Sequence, residues 1–307
     1  MRLNYTWLAL ALIATPAAAA PVKIKIACTA TSDCASAMIA TYDGIFAKHG
    51  IDAEMMLIGI NTNIPPAIAS DSIQVGGPTS TVFLQAVDGG LDLVTIAGAS
   101  VMSPAMDNLI AAVQRPGLKM SKPADFVGKK VGVPGIGAFL DVLFRKWLID
   151  GGVQPSKVHF VEVTFPTQSD SLKSGAVDAV LTAQPFIGRI EGAHNGSVAA
   201  YYVADLKRTD PIIEYVTTRA WAEKHPDALK GFRESIAEAA KIVNSDHAKE
   251  AEAQSRFTKM SADIIKKFPP SESDPHIKAD DFTWWLQVMK EQGMLQGQID
   301  KAKLVFP

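Results

Sequence analysis

The chain has 307 residues, is 48% hydrophobic and 20% charged, and carries a formal net charge of −2. No run of lysine or arginine marks a surface for nucleic acid or an anionic membrane, so neither partner is expected. Hydrophobic content near half, with no low-complexity segment, excludes a disordered chain and leaves room for two lobes of roughly 100–200 residues each.

The first residues, "MRLNYTWLALALIATPAAA", hold one basic residue (Arg2), an apolar run from Trp7 to Ala14 and a small-residue end. That is the pattern of a cleaved secretory signal peptide, residues 1–19, because the apolar run is too short for a membrane span. The expected address is the periplasm. Without Arg2 the chain keeps 29 basic against 32 acidic side chains, a net charge of −3.

"VKIKIAC" (22–28) reads as a strand and "CASAMIATYDGIFAKHG" (34–50) as one helix closed by Gly50. "IDAEMMLIG" is a strand, "IPPAIAS" a short helix, "SIQV" a short strand, "TSTVFLQAV" a helix and "LDLVTIAG" a strand. "NLIAAVQ" follows, then "SKPADFVGKK", where Ser121 is expected to cap a short helix opened by Pro123. The rhythm restarts with "KKVGVP", "KVHFVEV", "VDAVLTA" and "VAAYYVA" as strands separated by helices. "IIEYVTT" is a last strand, and the rest reads as long helices, including 226–245 and 279–293. Alternating strands and helices predict an α/β fold with mostly parallel sheets covered by helices.

"SDSIQVG" (70–76) and "SGAVDAV" (174–180) echo one another in residue type, and each is followed by a proline (Pro78, Pro185). The echo points to two related lobes, with the chain crossing near 103–110 and returning near 204–212. The helical end is then expected on the first lobe.

Two cysteines lie in an exported chain, so a Cys28–Cys34 disulfide is one reading. The other is a buried Cys28 and a free Cys34; spacing alone leaves both open.

Residues 129–148, "KKVGVPGIGAFLDVLFRKWL", place a glycine-rich turn between strand and helix, the arrangement that cradles phosphates. A dinucleotide fingerprint would need a third glycine where Leu140 stands, and no Gly-Lys-Ser/Thr follows. What remains is general: exposed backbone N–H groups at a helix start suit any oxyanion. The same strand-turn-helix construction recurs at Thr29, Thr31 and Ser32; at Gly76, Gly77, Thr79 and Ser80; at Thr164 and Thr167; and at Gln184. In open α/β sheets, ligands sit beyond the carboxyl ends of the strands. Such Ser and Thr residues also serve as plain helix caps. Arg145 is expected to pair with Asp141 four residues earlier, Arg189 to lie nearer the cleft, and Trp284 and Trp285 to be packing residues. The six histidines show no metal spacing, no G-x-S-x-G elbow is present, and neither cofactor nor metal is expected.

In this order, "GIFAKHGIDAEMMLIG", "AIASDSIQVGGPTSTVFLQAVDGG", "KPADFVGKKVGVPGIGAFLDVLFRKWL", "LKSGAVDAVLTAQPFIGRIE" and "WAEKHPDALKGFRESI" resemble the substrate-binding proteins of ABC importers of the nitrate/sulfonate/taurine type. The resemblance spans essentially the whole mature chain. It implies a two-lobed type II periplasmic-binding-protein fold with two hinge crossings: lobe 1 in 20–106 and 207–307, lobe 2 in 107–206. It implies a small ligand between the lobes, delivered to an inner-membrane permease with a separate ATPase, and a monomer. By position it places ligand contacts at Thr29, Thr31, Ser32, Gly77, Thr79, Ser80, Gly135, Ile136, Gly137, Ala138, Thr164, Phe165, Gln184, Phe186 and Arg189. The family often has Glu-Pro where Gln184-Pro185 stands, and hydroxyls where Ile136, Gly137 and Ala138 stand. Those departures imply an organic molecule with an apolar body, facing Ile136, Phe139, Phe165 and Phe186, and one anionic head. Two rivals accompany this reading. One is a pyrimidine-synthesising enzyme of the same superfamily, which needs a cysteine-rich loop and a reactive histidine; the other is a periplasmic sensing subunit.

Overall fold

Residues 20–204 and 206–307 are described by the structure, a computed structural model. The expected signal peptide, 1–19, lies outside them. The chain starts with β1 (Val22–Cys28), α1 (Ala35–Tyr42), α2 (Ile45–Lys48) and β2 (Ile51–Leu57), then α3 (Ile64–Ala69), β3 (Val75–Gly76), α4 (Ser80–Asp88) and β4 (Leu93–Val101). It crosses to β5 (Ile110–Gln114), β6 (Lys130–Val133), α5 (Phe139–Asp150), β7 (His159–Glu162), α6 (Gln168–Lys173), β8 (Ala179–Ala183), α7 (Phe186–Gly192) and β9 (Ser197–Ala200). It returns as β10 (Pro211–Thr218), α8 (Arg219–Lys224), α9 (Pro226–Ser245), α10 (His247–Thr258), α11 (Ala262–Ile265), β11 (Glu272–Ser273) and α12 (Thr283–Glu291).

Two sheets result, ordered β11-β4-β10-β3-β1-β2 and β7-β6-β8-β5-β9. In each, three strands run parallel: β1 beside β2 and β3, and β6 beside β7 and β8. The strands nearest the crossings, β4 with β10 and β5 with β8 and β9, pair antiparallel. Where the chain passes between sheets, Met102 N donates to Asp210 O at 2.9 Å, so the two crossings lie side by side. Sheets with helices on both faces bury near-continuous apolar strands; β4 and β10 are buried along almost their whole length.

The sequence echo is a structural repeat. Asp71 and Gly175 both take left-handed backbone, at φ 57° and 72°. Gln74 N then donates to Lys25 O, and Asp178 N to Lys130 O. In return, Lys25 N donates to Gln74 Oε1 at 3.0 Å and Lys130 N to Asp178 Oδ2 at 3.0 Å. Each echo thus clips a short strand onto its parallel neighbour through the same pair of bonds.

Three expectations change in detail. The single helix over 34–50 is broken at Gly44, whose φ of 71° leaves the helical region and separates α1 from α2. Ser121 is not the cap before Pro123: the Asp125 carboxylate accepts from Ser121 N and Lys122 N instead. The strand expected over 198–204 stops at Ala200, and Tyr202 and Val203 turn into the core.

At the C-terminal end, α9 and α10 pack on α1 of the first lobe, as expected. Helix α12 does more, lying against α4 of the first lobe and α5 of the second. Its buried Trp285 packs edge-on to Phe139 at 5.7 Å and donates its indole N–H to Pro211 O at 2.8 Å. Gln292, just past its end, donates to Val142 O in α5 at 2.9 Å.

Candidate functional site

The carboxyl ends of β1, β4, β6 and β8 and the start of β10 converge on a cavity of about 110 Å³ between the two sheets. An engineered cavity of about 150 Å³ holds benzene, so this space suits a small guest.

Of the residues expected there, Thr29, Thr31, Ser32 and Thr79 of the first lobe line the cavity, as do Ala138, Phe165 and Gln184 of the second. Their shared property is position: each stands in the first residues after a strand end. The Gln184–Pro185 peptide that follows β8 is cis. Cys28 and Cys34 are bridged, with Cα atoms 6.4 Å apart. The bridge fastens the Thr29–Asp33 turn to the base of α1. Closing so short a loop contributes about 2–3 kcal/mol in the chain-entropy account.

The other expected residues lie elsewhere, each for a physical reason. Gly77 sits behind the wall, where a side chain would place Cβ 2.6 Å from Cys34 Sγ. Ser80 points into the core rather than the cavity, its hydroxyl 2.7 Å from Glu214 Oε2 and 3.0 Å from Pro211 O. One hydroxyl proton cannot serve both acceptors. A protonated Glu214 donating to Ser80 frees Ser80 to donate to Pro211, and burial does push the Glu214 carboxyl up, to about 8.

Gly135, Ile136 and Gly137 form the turn that touches the other lobe. Asn61 N donates to Pro134 O, and a Cβ on Gly137 would meet Gln85 Oε1 of α4 at 2.4 Å. Gly137 takes φ 81°, and its N–H is already given to Asp141 Oδ2 at 2.7 Å. Ile136 is 41% exposed and its N–H is held by Glu162. It does not line this cavity. Thr164 bonds Thr167 and packs near Gly59. Phe186 stacks behind Phe165 at 5.2 Å, supporting the wall from outside. Arg189 lines a separate groove with Lys259 and Lys267, and Arg145 pairs with Asp141 at 2.8 Å as expected.

Sequence reasoning missed several wall residues. Asn61 donates nothing to the turn from its side chain but accepts from Thr79 N at 2.9 Å, capping the approach to α4. Ser100 comes from the end of β4, and Ser103 and Met106 come from the first crossing. The segment Phe268-Pro-Pro-Ser-Glu272 covers one side, and Ser32 Oγ meets Ser271 Oγ at 2.5 Å. Two adjacent prolines in a stretch otherwise read as helix were its available signal.

Asp33 also lines the cavity. It accepts from Thr31 Oγ1 at 2.6 Å and Ser100 Oγ at 3.1 Å. Part of its surface opens inward, yet dense surrounding protein raises its pKa through burial, against those two hydroxyl bonds.

At α5, Ala138 caps without a side-chain bond, and the first helical bond runs from Val142 N to Ala138 O. The N–H groups of Phe139 and Leu140, both cavity residues, therefore lack helical partners. With the helix dipole behind them, they can receive an oxyanion. Among the described residues, no cluster of His, Cys, Asp and Glu could hold a metal ion, and no helix is long and apolar enough to cross a membrane.

The sequence profile described as NMT1/THI5 like matches residues 31–250. The chain belongs to the NMT1/THI5-like family. The sequence resemblance is thereby supported by relatives of the same kind. The family member is 25% identical over 302 residues to the taurine-binding periplasmic protein of Escherichia coli K12, covering 96% of this chain and 87% of that protein. It is 21% identical over 267 residues to the nitrate/nitrite binding protein NrtA of Synechococcus elongatus, spanning 77% of this chain but 59% of the relative. Among solved structures, the alkanesulfonate-binding protein SsuA from Xanthomonas axonopodis pv. citri, bound to MOPS, superposes with a TM-score of 0.78 at 15% identity. It covers 94% of this chain and 99% of its own. The periplasmic nitrate-binding protein NrtA from Synechocystis PCC 6803 gives a TM-score of 0.76 at 17% identity, covering 92% and 84%. These likenesses establish the periplasmic-binding-protein fold for the NMT1/THI5-like chain. The named relatives are binding proteins rather than enzymes.

Proposed function

We propose that the chain is an extracytoplasmic solute-binding protein that captures a small organic anion between its lobes and delivers it to an ABC importer. The lobes comprise 20–106 with 207–307, and 107–206, and the working unit is a monomer in the periplasm that docks on a permease with its own ATPase. The observation that carries this reading is the cavity itself: strand ends and turns from both sheets supply its walls. Capture is then a hinge motion, because only the closed arrangement offers a ligand both sets of contacts.

The anionic head would be met by the free N–H groups at the start of α5, and the apolar body by Phe139, Phe165, Ile212 and Ile213. Burying that head unpaired would be too costly, so these donors decide whether it binds. Isothermal titration of the purified chain against small sulfonates, carboxylates and nitrate tests the reading. Binding at micromolar Kd or tighter, worth roughly −8 kcal/mol at 1 μM, is expected for at least one of them. No heat with any, and time-dependent chemical conversion of one, would favour the enzyme instead.

A further inference from the structure

One edge of the cleft is held shut by bonds that no guest makes. The chain passes between the sheets from β4 to β5 and from β9 to β10, whereas β2 and β7 are the far edges of their sheets. The carboxyl ends of these two edge strands meet: the turn after β2, residues 59–62, lies against the turn after β6 and the end of β7. Parting the lobes about the crossings moves the far edges through the longest arc, so bonds placed here oppose opening most directly.

Asn61 N donates to Pro134 O at 3.2 Å, while Asn61 Oδ1, accepting from Thr79 N, ties the same residue to the start of α4. Next to it, Thr62 Oγ1 donates to Glu162 Oε1 at 3.0 Å, and that oxygen also accepts from Ile136 N at 3.1 Å. Glu162 therefore steadies the turn before α5 within its own lobe and reaches the first lobe through the Thr62 hydroxyl. Gly59 permits the approach, since a Cβ there would lie 3.0 Å from Thr164 Cγ2. Asn61 and Pro134 line the cavity, but Thr62, Ile136 and Glu162 do not. The Thr62–Glu162 bond thus joins the lobes without touching the space a guest would fill.

We propose that Thr62 and Glu162 form a latch that closes without ligand and sets affinity for every guest alike, although neither residue meets the guest. This rests on the capture reading above and adds a control on it. A guest that binds only the closed arrangement has an apparent Kd equal to its intrinsic Kd divided by the closed fraction. A bond made in the closed form and lost in the open one raises that fraction. Removing it must weaken all guests by one common factor, whereas removing a ligand contact weakens them unequally. Glu162 is a positioning residue in this account. What Thr62 and Ile136 require of it is an acceptor oxygen, which an amide supplies as well as a carboxylate.

Thr62→Val removes the hydroxyl at nearly constant shape and leaves Glu162 on Ile136. Titration calorimetry with ethanesulfonate, propionate and nitrate compares it with wild type, and small-angle X-ray scattering compares the two ligand-free chains. Glu162 is exposed and Thr62 half-buried, so the bond is wet and its loss modest. Every probe that wild type binds is expected to weaken by the same factor, roughly 3- to 10-fold, through faster dissociation. The ligand-free variant is expected to be more extended than wild type. Glu162→Ala should reproduce the loss and Glu162→Gln should recover most of it, a rescue that a role in stability alone would not give. Circular dichroism and melting confirm that each variant folds. Unchanged Kd values, or losses that differ by more than about threefold between probes, overturn the latch while capture stands. If no probe binds wild type, the capture of small anions falls and scattering alone judges the latch, which identical ligand-free curves overturn.

Discussion

Glu214 gives the sharpest quantitative test of how the site is built. Its carboxyl is fully buried beneath the start of α4, 2.7 Å from Ser80 Oγ, and burial raises its pKa from 4.5 to about 8. The folded chain therefore keeps a proton that the unfolded chain releases between those two values. Stability must then fall as pH rises across this window, because the folded state binds more protons than the unfolded one. The full contribution is present below the unfolded pKa and is gone above about 8. At 1.36 kcal/mol per pKa unit, the whole window is worth about 5 kcal/mol, and about 3 kcal/mol is already lost at neutral pH. Glu214→Gln keeps a donor to Ser80 but cannot ionise. Urea unfolding of both proteins at pH 5 and pH 8.5 is the assay. The two should be similar at pH 5, and the variant should be more stable by roughly 3–5 kcal/mol at pH 8.5. Glu250, raised to about 7 by burial, is common to both and cancels in the difference. A difference between the proteins that stays the same at both pH values would refute a neutral Glu214 and the Glu214–Ser80–Pro211 chain drawn from it.

Two further predictions concern the Cys28–Cys34 bridge. Gly77→Ala would drive Cβ against both sulfurs of the bridge and against Ile213, all within 3.1 Å. A loss of about 1–3 kcal/mol is expected from such overpacking, read as a lower urea midpoint with unchanged slope. Reducing the Cys28–Cys34 bridge, or replacing both residues with serine, should cost about 2–3 kcal/mol. It should also weaken ligand binding by more than the fold is weakened, because Asp33 sits inside the closed loop; calorimetry before and after reduction separates the two effects.

Much of the fold was readable because its strands are buried on both faces. Runs such as "LDLVTIAG" and "IIEYVTT" are therefore apolar enough to stand out. Breaks were harder. Gly44 inside an apolar pattern looks like a tolerated helical glycine until its backbone angle is known, and Asp125 outcompetes Ser121 because a carboxylate can accept from two N–H groups at once. At the site, strand ends predicted the neighbourhood well, which is why Thr29, Thr31, Ser32 and Thr79 lie together with Ala138, Phe165 and Gln184. One residue further along, prediction failed. A helix turns about 100° per residue, so Ser80 points into the core although Thr79 faces the cavity. Contacts distant in sequence, such as Ser32 with Ser271, leave no local trace at all. Asp33 was in view in "TATSD" but reads as an ordinary acidic first-turn residue until Ser100 is brought beside it.

The repeated clip between neighbouring strands is built from an amide in one half and an acid in the other. Gln74 does not titrate. Asp178 does, and although partial burial alone would raise its pKa, the Lys130 N–H and the Arg115 guanidinium hold it below the ordinary range. Its share of stability is present above the unfolded pKa and disappears as acid protonates it in the folded state. Acidification therefore loosens the latch of only one half, so hydrogen exchange at low pH should speed up first between β6 and β8 while the β1–β3 junction stays protected. Two copies of one piece of carpentry thus answer the same chemical stress differently.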